Sequence, residues 1–75
     1  MSNLSSGQKA AKNYIASIGI AVDYHIPAGI ANIVYGYRNE YDACLNYTKT
    51  YLRTEGVRME DDQVDSLLKF TRAAL

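Results

Sequence analysis

The sequence predicts a small all-α protein: a bundle of three helices, or four if the long central helix breaks. Three observations carry this expectation. Ile30, Ile33, Val34, Tyr37, Tyr41, Cys44, Leu45, Thr48 and Leu52 fall on one helical stripe. Helix-terminus signals stand at Pro27, Gly56 and Glu60. The strict alternation that a half-buried strand requires fails at Ile33, Val34 and Tyr35. At 75 residues the chain is read as one domain, 1–75, with residues 1–4 as a flexible N-terminus.

In the first helix, Ser5 and Gln8 have the spacing of a capping box. Ala11, Tyr14, Ile15, Ile18, Ala21 and Val22 then share a face, with Lys9, Lys12 and Asn13 opposite. Pro27 disfavours helical geometry at Ile26, which puts the end of this helix near Tyr24 or His25. Gly19 weakens the segment, and residues 18–22 also suit a strand. A hairpin over residues 20–37, turning at Pro27, Ala28 and Gly29, is therefore the competing arrangement; the period of 3.6 on both sides of the turn argues against it. His25, placed at a helix C-terminus, would face the negative end of the dipole.

The central helix is expected from Pro27, which suits a first turn, to Glu55. At 1.5 Å per residue it would be roughly 43 Å long, more than a compact chain of this size is wide. A break near Gly36, with Asn39 capping a fresh helix, would relieve the overhang. Gly56 closes the segment in the usual position beyond the last turn, with Arg53 at the negative end of the dipole. The last helix starts at Glu60, with acids in its first turn, Gln63 as a capping partner, and Met59 and Val64 spaced as a hydrophobic staple. Val64, Leu67, Leu68, Thr71 and Leu75 form its core face; Asp65, Lys69 and Arg72 stay outside.

Composition narrows the function. Eight basic and eight acidic residues cancel, which removes the bulk attraction to nucleic acid or anionic membranes. Cys44 is the single cysteine and lies on the apolar stripe, so a reducing, cytoplasmic setting fits best. The N-terminus lacks the basic start and apolar run of a secretory signal. The most apolar window, residues 15–34, is interrupted by Asp23, His25 and Pro27 and is too short to span a membrane.

No residue pattern points to catalysis, a metal or a cofactor. One His and one Cys on different elements are too few for a metal site. Asp61, Asp62 and Asp65 are explained by the dipole of the last helix. A Cys44 and His25 dyad lacks the electropositive, exposed setting that favours thiolate. The isolated glycines form no phosphate loop. The mixed charges of Arg38, Asp42, Lys49 and Arg53 argue against a helix inserted in a DNA groove.

Two features point to an interaction surface. Gly29, Asn32, Gly36, Asn39, Ala43, Asn46 and Thr50 would share an uncharged, small-residue face on a continuous central helix, where they are either ordinary solvent positions or a close-packed contact. The seven tyrosines include Tyr35, Tyr47 and Tyr51 at or beyond the edge of the stripe, suited to a protein interface or to half-buried positions bridging core and water. The expected function is that of a non-enzymatic binding module that completes itself as a homodimer or on a larger protein partner. A stoichiometric inhibitor or adaptor acting by surface occlusion fits, of which a phage or mobile-element inhibitor of a host defence complex would be one instance. The alternative is a dimeric nucleic-acid-associated regulator gathering Lys9, Lys12 and Arg53. Neither reading requires a cofactor, a metal or a small-molecule substrate.

Overall fold

Glycines terminate two of the helices by the same backbone device. In the computed structural model, which describes residues 3–75, the first helix α1 (Leu4–Ser17) is followed by Gly19 at φ 82°, and α3 (Tyr41–Thr54) by Gly56 at φ 75°. At α1 the Ile20 N–H donates to the Ile15 carbonyl at 3.2 Å and Gly19 N–H to Ala16 at 3.0 Å. At α3 the Val57 N–H donates to Leu52 at 2.8 Å and Gly56 N–H to Arg53 at 3.1 Å. These are Schellman motifs, in which a left-handed residue lets the chain satisfy the last carbonyls, and both following residues, Ile20 and Val57, pack on the core.

Gly19 therefore ends α1 at Ser17, well before the Tyr24 or His25 expected from Pro27. Ile18, Ala21 and Val22 lie outside the helix, and residues 20–24 form a link. Nor does Ser5 cap α1: Asn3 holds the N-cap position without a side-chain hydrogen bond. No strand occurs among the described residues, so the hairpin is absent. The second helix, α2 (His25–Gly36), begins two residues before Pro27, which sits in its first turn, where a missing N–H costs nothing. His25 thus stands at the start of a helix, at the opposite end of the dipole from the one expected.

The long central helix is broken. After α2 the Tyr37 N–H still bonds the Ile33 carbonyl at 3.0 Å, the Glu40 N–H closes a turn onto Tyr37 at 2.9 Å, and α3 starts from Glu40, not Asn39, as its N-cap. The longest dimension of the molecule is 30 Å, whereas an unbroken helix would need roughly 43 Å. Turning at residues 37–40 lays α3 against α2 and buries both halves of the stripe, including Ile30, Val34, Cys44, Thr48 and Leu52.

The fourth helix, α4 (Asp61–Ala73), starts from Glu60, whose N–H donates to Gln63 Oε1 at 2.9 Å. Met59 packs on the core beside buried Val64, as a staple requires. Among the described residues α1 and α3 do not touch each other; each packs against both α2 and α4, which also meet across the centre. Ile15, Ile30, Val34 and Leu67 are therefore almost fully enclosed, each such side chain worth about 1.5–3 kcal/mol relative to exposure. At one end Leu75 covers buried Gly7, where a Cβ would come within 3.0 Å of Leu75 Cγ. No helix is long and apolar enough to cross a membrane, among the described residues.

Candidate binding surface around the α2–α3 turn

The break in the central stripe places side chains from three helices around the turn at residues 37–40. Between α2, α3 and α4 lies a cavity of about 100 Å³. Its floor is formed by buried Val34, Cys44 and Leu68, and its walls by Tyr37 and Tyr41. Arg38, Lys69 and Arg72, all exposed, stand at its rim, and no carboxylate lines it.

Both wall tyrosines, and Arg38 and Lys69 at the rim, are held. Tyr37 stacks on Tyr47 with ring centroids 4.7 Å apart, one half-buried and the other 53% exposed. The Arg38 guanidinium lies 4.5 Å over the ring of Tyr35, which is itself 46% exposed, and it donates to the Tyr35 carbonyl near the C-terminus of α2, where a cation is favoured. The Tyr41 hydroxyl donates to Asp65 Oδ1, and Lys69 Nζ pairs with Asp65 Oδ2 at 2.9 Å. Hydrogen bonding to the Asp65 carboxylate pushes the Tyr41 phenol up to about 12, while the bonds from Tyr41 and then Lys69 hold Asp65 below its ordinary value. Arg38 and Arg72 have no carboxylate partner among the described residues.

Cys44 on the floor is 4% exposed, and burial raises its thiol pKa, opposed by the neighbouring Thr48 hydroxyl and the Arg72 charge. Thr48 is fully buried, and its hydroxyl makes no hydrogen bond of normal geometry; the thiol beside it is only a weak partner. His25 belongs to another region, where its Nε2 meets Glu55 Oε1 at 2.7 Å and ties the start of α2 to the end of α3. The structure does not bring His25 and Cys44 to one cavity. No group of three His, Cys, Asp or Glu able to hold a metal occurs among the described residues.

The small-residue positions are distributed by the break over two helices and a turn. Gly29 faces inward to Tyr51, whose hydroxyl donates to the His25 carbonyl at 3.2 Å. Gly36 meets nothing within 4 Å of where a Cβ would stand. Asn32, Asn39, Asn46 and Thr50 are exposed, and Ala43 is half-buried. Of the tyrosines singled out in the sequence, Tyr35 and Tyr47 stand at the surface near the turn, whereas Tyr51 is half-buried over Gly29.

Sequence reasoning missed the cavity because its parts had been given other roles: Tyr37 and Tyr41 to the core, Lys69 and Arg72 to a solvated face. No local signal joins residues 34–44 to residues 68–72. It also missed Phe70, 58% exposed on α4 and stacked on Tyr14 with centroids 5.6 Å apart. In comparisons with protein-family models, with curated proteins and with solved structures, no match to this chain was found.

Proposed function

We propose that this protein is a non-enzymatic binding module that engages a larger protein through the surface around the α2–α3 turn. The observation that supports it is the pair of exposed aromatic side chains already held in place, Tyr35 under Arg38 and Tyr47 against Tyr37. Aromatic groups so held offer large contact area and lose little conformational entropy when a partner covers them. An occluding inhibitor or an adaptor, working in the cytoplasm as a homodimer, is the role this reading favours. An inhibitor of a host defence complex encoded by a phage or mobile element is one instance of it.

A second reading has its own observation. Exposed Tyr35, with the Arg38 guanidinium over its ring, and exposed Tyr47, stacked on Tyr37, also offer rings and a cation suited to stacking with unpaired bases. Affinity capture from the native host extract separates the two. The Tyr35→Ser, Tyr47→Ser double variant is expected to lose the captured protein, while Tyr24→Ser, at the other end of α2 and 84% exposed, retains it. Equal capture by both variants would overturn the binding-surface assignment. Retention on single-stranded nucleic acid, with strong salt dependence, would favour the second reading.

A further inference from the structure

We propose that the cavity between α2, α3 and α4 receives one aliphatic side chain, Leu or Ile, from an acidic segment of the protein partner. This deepens the binding-module reading above and depends on it. The floor of Val34, Cys44 and Leu68 offers no charged group to an occupant, so what enters must be apolar. Its size sets the kind of group. A cavity of about 150 Å³ takes benzene, and this one, at about 100 Å³, suits a branched aliphatic group better than a large ring.

The rim sets the flanking chemistry. Arg38, Lys69 and Arg72 stand among the lining residues and no carboxylate does; of the carboxylates just outside, Asp65 is engaged by Tyr41 and Lys69, and Glu40 and Asp42 lie near Tyr37 and Tyr41. The charged groups that line the opening are therefore all cations, on a chain whose total charge is zero. A basic or neutral segment would leave Arg38 and Arg72 without a carboxylate partner, whereas Asp or Glu on either side of the inserted side chain would supply one. The walls add affinity without mobility, because Tyr37 is held by Tyr47 and Tyr41 by Asp65.

The test uses the whole protein, isotope-labelled, and a short blocked peptide with one Leu between pairs of Asp and Glu. Three control probes accompany it: the same peptide with Ser for Leu, the same with Asn and Gln for the acids, and a single-stranded oligonucleotide. The acidic Leu peptide is expected to shift the resonances of Val34, Cys44 and Leu68 and to slow labelling of the Cys44 thiol. Both peptide controls and Arg72→Glu are expected to bind at least about tenfold more weakly. Arg38→Gln, which only removes charge, serves as a second variant and is expected to weaken binding in the same direction.

No shift at these residues, equal binding of the neutral peptide, or a stronger response to the oligonucleotide would overturn the proposal. Its failure is separable from that of the binding-module reading. If capture of the natural partner is lost in the Tyr35→Ser, Tyr47→Ser variant but unchanged in Arg72→Glu, the binding surface stands and the cavity assignment falls. If the peptide enters the cavity while the tyrosine variant captures as before, the surface assignment falls instead.

Discussion

The Tyr51 phenol occupies the space into which a side chain at Gly29 would project. A Cβ there would stand 2.5 Å from Tyr51 Cζ, and the Tyr51 hydroxyl donates to the His25 carbonyl at 3.2 Å. This contact closes α3 onto the first turns of α2, next to the His25 and Glu55 pair. Glu55 stands at the negative end of the α3 dipole, and its carboxylate is bonded there by the His25 ring.

Gly29→Ala is expected to displace Tyr51, losing its hydrogen bond and part of its packing. The overpacking cost of about 1–3 kcal/mol exceeds or cancels the helix-propensity gain of about 1 kcal/mol. Gly36→Ala meets open space and is expected to stabilise by a few tenths to about 1 kcal/mol. Thermal unfolding of the two variants checks this, and equal stabilisation by both would contradict the contact. Gly36→Leu is likewise expected to leave the fold intact, so any loss of self-association or partner capture in it reports a contact made by another chain.

The bond between Tyr41 and Asp65 makes stability depend on pH at both extremes. Asp65 is held below its ordinary value, so its contribution is present above the unfolded carboxyl value and is lost as pH falls through the lower folded value. Tyr41 is raised from 10.0 to about 12, so its contribution is complete below 10.0 and is lost as pH rises towards about 12. Tyr41→Phe is expected to shrink both dependences. Unfolding midpoints across the acid and alkaline ranges measure this, and unchanged profiles would show that the bond does not persist in solution.

Thr48 carries a fully buried hydroxyl without a proper partner. Val has nearly the same shape and no polar atom, so Thr48→Val is expected to stabilise the protein by about 1 kcal/mol. Denaturant unfolding reads the change through the midpoint at constant slope. Destabilisation would mean that the Cys44 thiol satisfies the hydroxyl well enough to matter.

The raised pKa of the Cys44 thiol keeps it protonated at neutral pH, and its burial restricts access. Labelling in the folded protein is expected to be slow and to quicken on unfolding. Cys44→Ser is expected to cost about 1–3 kcal/mol, since a hydroxyl is less tolerable than a thiol on an apolar floor. Rapid labelling of the native protein would contradict the enclosed setting.

Much of the helical architecture was legible locally. The all-α class follows from the apolar period, the start of α4 from Met59, Glu60, Gln63 and Val64, and the end of α3 from Gly56, because caps and staples act within one or two turns. Gly19 offered the same signal at the end of α1 and was outweighed by Pro27, whose restriction on Ile26 applied to a link and a first turn rather than to a helix end. Tertiary structure decided the break at residues 37–40. Periodicity there suits one helix or two, and only packing of α3 back against α2, with α4 covering both, buries the two halves of the stripe together. The same packing decided which surface residues meet. Arg38 and Arg72 are far apart in sequence and reach one cavity because the α2–α3 turn carries the first there and α4 the second, whereas Gly29 and Gly36, alike in sequence context, part company because Tyr51 covers only the first.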